Sequence, residues 1–310
     1  MPKVALIGSG LIGRSWANVF ARAGWDVALT DTDATTLAKA PAQIRTSLQD
    51  LARHGLVTDP EGAERRVVTT TSLPEALEGA HYVQESLPET VEVKLAIFAE
   101  MDKLAGPESL LASSTSAIIC SHFTENLKGR GRCLVAHPVN PPHLVPVVEL
   151  SGAPWTDPDT IVRARAVMAS IGQQPIEVKK EIDGFILNRL QGALLTEAFR
   201  LVGEGYVTPQ DLDITIRHGL GLRWAVMGPF ETIELNAPGG MADYCERYAH
   251  SLKTVPNNPA GPQVWDEPNV GTVIAAWGQT PDRAALAQKS DWRDRQLAAL
   301  AAHKKQQKLA

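Results

Sequence analysis

Cysteine is scarce in this chain, no sign of charge dominates it, and it holds no long apolar run. Each absence excludes a class of protein. The three cysteines, Cys120, Cys133 and Cys245, form no CxxC and no Cys/His cluster. That excludes a disulfide framework and a zinc site, and it suits a reducing compartment. Thirty Lys and Arg stand against 35 Asp and Glu, a net charge of −5, so no basic surface awaits nucleic acid or an anionic membrane. No apolar stretch approaches the roughly 20 residues that span a bilayer. A strand pattern begins at Lys3, so no leader is expected and the expected location is cytoplasmic. No internal repeat is visible. What is there is an ordinary soluble balance, 44% apolar and 21% charged over 310 residues, enough for one large or two ordinary domains.

Short apolar runs alternate with helical stretches through the first 180 or so residues, the pattern of a doubly wound α/β sheet. Strands are expected at Val4–Ile7, Val27–Thr30, Arg66–Thr70, Tyr82–Glu85, Leu110–Ser113, Cys133–Ala136, Val145–Leu150 and Pro175–Val178. Between them lie helices at Leu11–Ala23, stopped by Gly24, and at Val91–Leu104 and Asp157–Ile171. Ala34–Leu56 is a longer helical excursion.

After Gly184 the strand signals stop. Phe185–Gly203 reads as one amphipathic helix, with Ile186, Leu190, Leu194 and Leu201 on its apolar stripe. Asp211–His218, Glu231–Leu235 and Met241–Leu252 are further helices. Pro256–Pro268, with prolines at 256, 259, 262 and 268, is a loop. Pro256–Trp277 as a whole has no assigned role, and either an interface arm or an active-site flap is compatible with it. Ala284–Leu309 is a polar helix expected to fray at its end. The expected architecture is a mostly parallel sheet domain over 1–183, followed by an all-helical domain over 184–310.

The first strand runs into Gly8-Ser9-Gly10-Leu11-Ile12-Gly13, a GxGxxG before a helix. Gly8 permits the tight turn, Gly10 lets backbone approach a pyrophosphate, and Gly13 lets the helix pack on the strand. Gly8, Gly10, Leu11, Ile12 and Gly13 are therefore expected to cradle a dinucleotide. The second strand ends in Asp31, where a carboxylate accepts from ribose hydroxyls. No Lys or Arg follows before Lys39 to receive a 2′-phosphate, so NAD is favoured over NADP. The alternative is a Gly-rich structural turn. The sheet domain is thus read as Rossmann-type.

Glu149 lies in the apolar run Val145–Leu150, where a carboxylate is costly without a partner. His137 follows another apolar run, Cys133–Ala136, and a carboxylate holding an imidazole makes a general base. Ser116 stands where the Leu110–Ser113 strand gives way, and alone it reads as readily as a helix N-cap. His137 alone reads as a satisfied core histidine. Asn188 sits near the domain junction, open to a capping or interdomain hydrogen bond.

These residues carry a resemblance. His137-Pro138-Val139-Asn140-Pro141-Pro142 with Glu149 beyond it, Ser113-Ser114-Thr115-Ser116 before it, and Gly184-Phe185-Ile186-Leu187-Asn188-Arg189-Leu190 resemble the 3-hydroxyacyl-CoA dehydrogenase superfamily over nearly the whole chain. Within it, Lys180–Gln191 and Gly219–Asn236 look most like the lambda-crystallin branch, the L-gulonate 3-dehydrogenases. The resemblance implies His137 as catalytic base with Glu149 as its partner, and Ser116 and Asn188 on the reacting oxygen. It also implies Glu89 and Lys94 near the nicotinamide ribose, an NAD-dependent oxidation at C3, and a homodimer.

The substrate is less determined. The Ala34–Arg66 excursion carries Lys39, Arg45, Arg53, Arg65 and Arg66 against Asp50, Asp59, Glu61 and Glu64, a poor funnel for CoA phosphates. Arg223, in an otherwise apolar stretch, suits a free carboxylate, and capping or a subunit interface explains it equally well. A small 3-hydroxy acid such as L-gulonate is preferred over a 3-hydroxyacyl-CoA ester of fatty acid metabolism. L-carnitine calls for an aromatic cage, of which Trp224 and Tyr244 are the hints. A crystallin-like structural protein without turnover is the rival class.

Overall fold

The computed structural model describes residues 1–254, 259–279 and 281–307. Eight strands form one sheet: β1 (Lys3–Ile7), β2 (Asp26–Thr30), β3 (Val67–Thr70), β4 (Tyr82–Glu85), β5 (Leu110–Ser113), β6 (Cys133–Pro138), β7 (Val147–Gly152) and β8 (Gln174–Glu177). Their order is β3-β2-β1-β4-β5-β6-β7-β8. All neighbours are parallel except β6 and β7, which run antiparallel. Strand alternation splits the core between the two faces. Val4, Leu6, Val27, Leu29, Leu134 and Ala136 bury one face, and Ala5, Ile7, Ala28, Val83, Leu111 and Val135 bury the other.

Two strand bounds differ from the sequence reading in a way that matters. β6 continues through His137 to Pro138, so the histidine is inside the strand rather than beyond it. β7 begins at Val147 rather than Val145, because Pro146 has no N–H to donate to a ladder. The extension of β6 brings His137 and Pro138 into its ladder with β7, opposite Glu149 and Val148.

The chain divides into two units, one of residues 1–188 with 287–308 and one of residues 189–286. In the first, the helix Leu11–Arg22 packs Trp16, Val19 and Phe20 into the core. The excursion is one helix, Ala34–Arg53, started by the Asp33 side chain capping the Thr35 and Thr36 amides, then a short helix, Pro60–Arg65. The C-terminal helix Arg283–Gln306 brings Leu297 and buried Ala298 onto the same core. The expected fraying at its end falls on residues 308–310, outside those described.

The second unit is helical. It holds most of Leu187–Gly203, then Pro209–Thr215, a π-helical turn at Ile216–Leu220, Gly221–Trp224, Pro229–Glu234, Gly240–Thr254 and Asn269–Trp277. The proline-rich segment includes a 3-10 turn, Pro262–Trp265, and residues 256–258 of the expected loop lie outside the described residues. Among the described residues, no helix is long and apolar enough to cross a membrane.

Candidate active site

The β1–helix turn is shaped by its glycines. Gly8 has φ +100°, and a Cβ there would stand 2.7 Å from the Ser86 carbonyl oxygen. A Cβ on Gly13 would stand 1.8 Å from the Gly8 oxygen, so the helix approaches the turn only without a side chain. Gly10 differs: a Cβ there meets nothing within 4 Å. Gly10 is also the N-cap of the helix Leu11–Arg22, with no side chain capping the free amides. Open space in front of uncapped helix amides fits a pyrophosphate. Leu11 is exposed at the helix start and Ile12 lines the neighbouring cleft.

Asp31 follows β2 and faces this turn. Its Oδ2 accepts from the Ser9 amide at 2.7 Å and the Ser9 hydroxyl at 2.8 Å, and its Oδ1 accepts from the Asp33 amide at 3.0 Å. A carboxylate has about four acceptor positions, so Asp31 retains capacity for a ribose hydroxyl while being held in place.

The antiparallel ladder sets His137 directly opposite Glu149. His137 Nδ1 and Glu149 Oε2 are 2.8 Å apart, and both residues are buried. Glu149 Oε1 accepts from the Ile186 and Leu187 amides at 2.9 and 3.0 Å, where the Leu187–Gly203 helix begins. Burial alone would raise the Glu149 carboxyl. The hydrogen bonds from His137, Leu187 and Ile186 outweigh it and hold its pKa below the ordinary carboxylate value. As an anion Glu149 only accepts, so Nδ1 is the donor, and in the neutral imidazole the lone pair is on Nε2. Phe185, fully buried at φ +48°, bends the chain into that helix with its ring 5.5 Å from the imidazole.

His137 lines a cleft of about 160 Å³ with Ile12, Glu89, Lys94, Ser116 and Asn140. Ser116 is not a helix cap, since the next helix starts at Ser121 with Cys120 as its N-cap. Its loop is tied down by Glu89, whose Oε1 accepts from the Thr115 hydroxyl and the Ser116 and Ala117 amides. Burial opposes ionisation of Glu89, but the bonds from Thr115 and Ala117 and the charge of Lys94 hold its pKa below the ordinary value. The Asn188 side-chain amide donates to the Ser116 carbonyl at 2.9 Å, so these two residues also meet.

Lys94 is buried and pairs with Glu85 at 2.7 Å, with Glu89 at 3.9 Å. Glu85 is a component the sequence reading missed. Fully buried at the end of β4, it also accepts from the Ser113 hydroxyl and the Leu87 amide, both at 2.6 Å. The signal was present, since a carboxylate closing an apolar strand needs a partner as much as Glu149 does. Asn140 and Ser114 were missed with less warning.

Arg223 lies in the second unit, exposed on Gly221–Trp224. Trp224 is 40% exposed, and Tyr244 packs its ring 4.9 Å from that of Tyr248. Among the described residues, no group of three or more His, Cys, Asp or Glu is placed to hold a metal.

The family assignment rests on two matches covering most of the chain. Residues 3–182 match the family model for the 3-hydroxyacyl-CoA dehydrogenase NAD binding domain, and residues 184–271 match that for its C-terminal domain. The chain belongs to the 3-hydroxyacyl-CoA dehydrogenase family. It is therefore an NAD-dependent oxidoreductase acting on CH–OH groups. Lambda-crystallin of Oryctolagus cuniculus is 41% identical over 98% of this chain and 96% of its own. The L-carnitine dehydrogenase of Pseudomonas putida is 32% identical over 96% of this chain and 92% of its own. Among solved structures, a 5-formyl-3-hydroxy-2-methylpyridine 4-carboxylic acid 5-dehydrogenase superposes with TM-score 0.82 at 28% identity, covering 97% of each chain.

Proposed function

We propose that the chain oxidises the 3-hydroxyl of a small 3-hydroxy acid, with L-gulonate yielding 3-dehydro-L-gulonate. The observation that carries the chemistry is the His137–Glu149 pair at the edge of the cleft. NAD, when bound, supplies the hydride acceptor. His137 takes the hydroxyl proton on Nε2, and Glu149 stabilises the imidazolium and fixes the tautomer. Ser116 and Asn188 hold the reacting oxygen. Gly8, Gly10, Leu11, Ile12, Gly13 and Asp31 hold the adenosine half of the cofactor, and Glu89 and Lys94 border its nicotinamide ribose. Glu85 keeps Lys94 in place.

The preference for a free acid is supported by charge pairing in the 34–66 excursion. Arg45 pairs with Glu64 at 2.6 Å, Arg53 pairs with Asp50, and Arg66 pairs with Asp26 at 3.2 Å. Cations already neutralised make a weak attractor for CoA phosphates. Among the named relatives, lambda-crystallin also stands above L-carnitine dehydrogenase in identity. Arg223 is the proposed anchor for the substrate carboxylate.

A homodimer through the second unit is supported by that unit's apolar surface. Leu190, Tyr206, Leu222, Phe230 and Leu235 are each at least 63% exposed. Large apolar side chains left exposed in one unit support association through it.

The experiment is a substrate panel of L-gulonate, 3-hydroxybutyrate, 3-hydroxybutyryl-CoA and L-carnitine with NAD, following NADH. The highest kcat/KM is expected for L-gulonate. A strong preference for the CoA ester overturns the substrate and leaves the chemistry. NAD binding with no turnover of any member supports a structural protein instead.

A further inference from the structure

A second cavity, of about 500 Å³, lies within the first unit among the end of the Leu11–Arg22 helix, the β6–β7 connection and the C-terminal helix. That volume is in the range of roughly 300–1,000 Å³ typical of small-molecule sites. It shares no lining residue with the cleft of His137. Its last wall, residues 297–305, comes from chain beyond residue 271, where the C-terminal family match ends.

The lining has two chemistries. Leu56, Leu144, Ile171 and Leu297 make an apolar bed, and every ionisable lining side chain is basic: Arg22, His143, Lys304 and Lys305. Arg22 donates a hydrogen bond to the His143 carbonyl oxygen at 2.9 Å, and among the described residues no carboxylate pairs with it. The buried His143 Nδ1 has no partner among the described residues. Burial pushes the Arg22 guanidinium down to about 10, which leaves it a cation at neutral pH. Burial, then the charge of Arg22, pushes His143 down to about 4, against a smaller opposing pull from Asp294. Asp294 is itself paired with Arg293 at 2.7 Å. A half-buried cation beside an apolar bed, with no carboxylate paired to it among the described residues, lacks an anion.

We propose that this cavity is a second ligand site, taking an amphipathic carboxylate with its head on Arg22 and Lys304 and its alkyl chain along Leu56, Ile171 and Leu297. The charge of the lining selects an anion, and the bed selects an unbranched apolar body over a polyol. The connection between β6 and β7 belongs to both cavities: Pro138 and Asn140 line the cleft, and His143, Leu144, Val145 and Pro146 line this one.

Octanoate is the probe, titrated calorimetrically into the full chain saturated with NADH, with octanol as its neutral counterpart. One equivalent should bind. Lys304→Glu/Lys305→Glu changes side chains at the rim, where folding is not at issue, and should weaken octanoate by about tenfold or more, the worth of a charge-assisted hydrogen bond. Ala301→Trp should fill the cavity and abolish binding, and octanol should bind at least about tenfold more weakly than octanoate. Three results overturn the proposal. One is no heat at millimolar octanoate. Another is equal octanoate affinity in both variants and wild type, which puts the probe elsewhere. The third is a change of oligomeric state in Ala301→Trp with octanoate binding intact, which assigns the cavity to a second copy of the chain.

Discussion

His137 and Glu149 are cross-strand partners, registered opposite each other where β6 and β7 run antiparallel, with Nδ1 and Oε2 2.8 Å apart. Side chains at opposed positions share a face, with Cβ atoms about 4.5–5.5 Å apart. Register, rather than a flexible loop, therefore brings imidazole and carboxylate together. The far side of the same carboxylate is held by the Ile186 and Leu187 amides. Neither oxygen is free to rotate away.

If Glu149 orients the imidazole, Glu149→Gln should lower kcat while leaving NAD affinity near that of wild type. The imidazolium loses its facing charge, so the acid limb of the pH–rate profile should move to lower pH. Steady-state kinetics across pH, with NAD binding followed by fluorescence, decide this. An unchanged profile would make Glu149 a structural residue only.

The same carboxylate has a thermodynamic signature. Its folded pKa lies below the ordinary 4.5, so its contribution to stability is fully present above that value. The contribution is lost as pH falls through the folded pKa. Denaturant unfolding of wild type and Glu149→Gln should show a stability gap at neutral pH that narrows below about 4.5. A gap independent of pH would contradict the ionised, hydrogen-bonded state.

Glu85 and Lys94 form a fully buried ion pair. Glu85→Gln leaves the ammonium with only Glu89 at 3.9 Å and the Leu87 carbonyl oxygen at 3.2 Å, and breaking a buried pair from one side costs roughly 3–5 kcal/mol. Chemical denaturation should show a loss of that order, and Glu85→Gln/Lys94→Met should recover much of it. If the double variant is as unstable as the sum of both single changes, the pair is not coupled as drawn.

Asp31 is the proposed ribose acceptor. Asp31→Asn should weaken NAD by roughly 10–100-fold, the worth of a hydrogen bond to a charged group, and should narrow the preference over NADP. Fluorescence titration with both cofactors measures it. Unaltered NAD affinity would leave Asp31 as a brace for Ser9 alone.

Much of this was legible in the residues. Strand alternation and the GxGxxG specify the sheet and its cradle, because period and glycine position are local properties. Glu149 announced itself as a buried charge. Its second set of partners did not, because the Ile186 and Leu187 donors are backbone amides that no side-chain pattern reveals. The positive φ of Phe185, which aims those amides, is equally silent in sequence. A mostly parallel sheet was legible, but which pair reverses was not, because the direction of β7 beside β6 is a long-range property. The helix Asn269–Trp277 was hidden by the prolines before it, and the return of Leu297 and Ala298 to the core by the polarity of the helix that carries them. Long-range packing decided what local pattern left open.

The proton-transfer role of His137 is tested by His137→Gln with L-gulonate and NAD, turnover and NAD affinity being measured on the same folded preparation. The expected result is a kcat lower by about 10²-fold or more, the usual loss for an absent general base, with NAD affinity unchanged. Near-normal turnover in that variant would contradict His137 as the base.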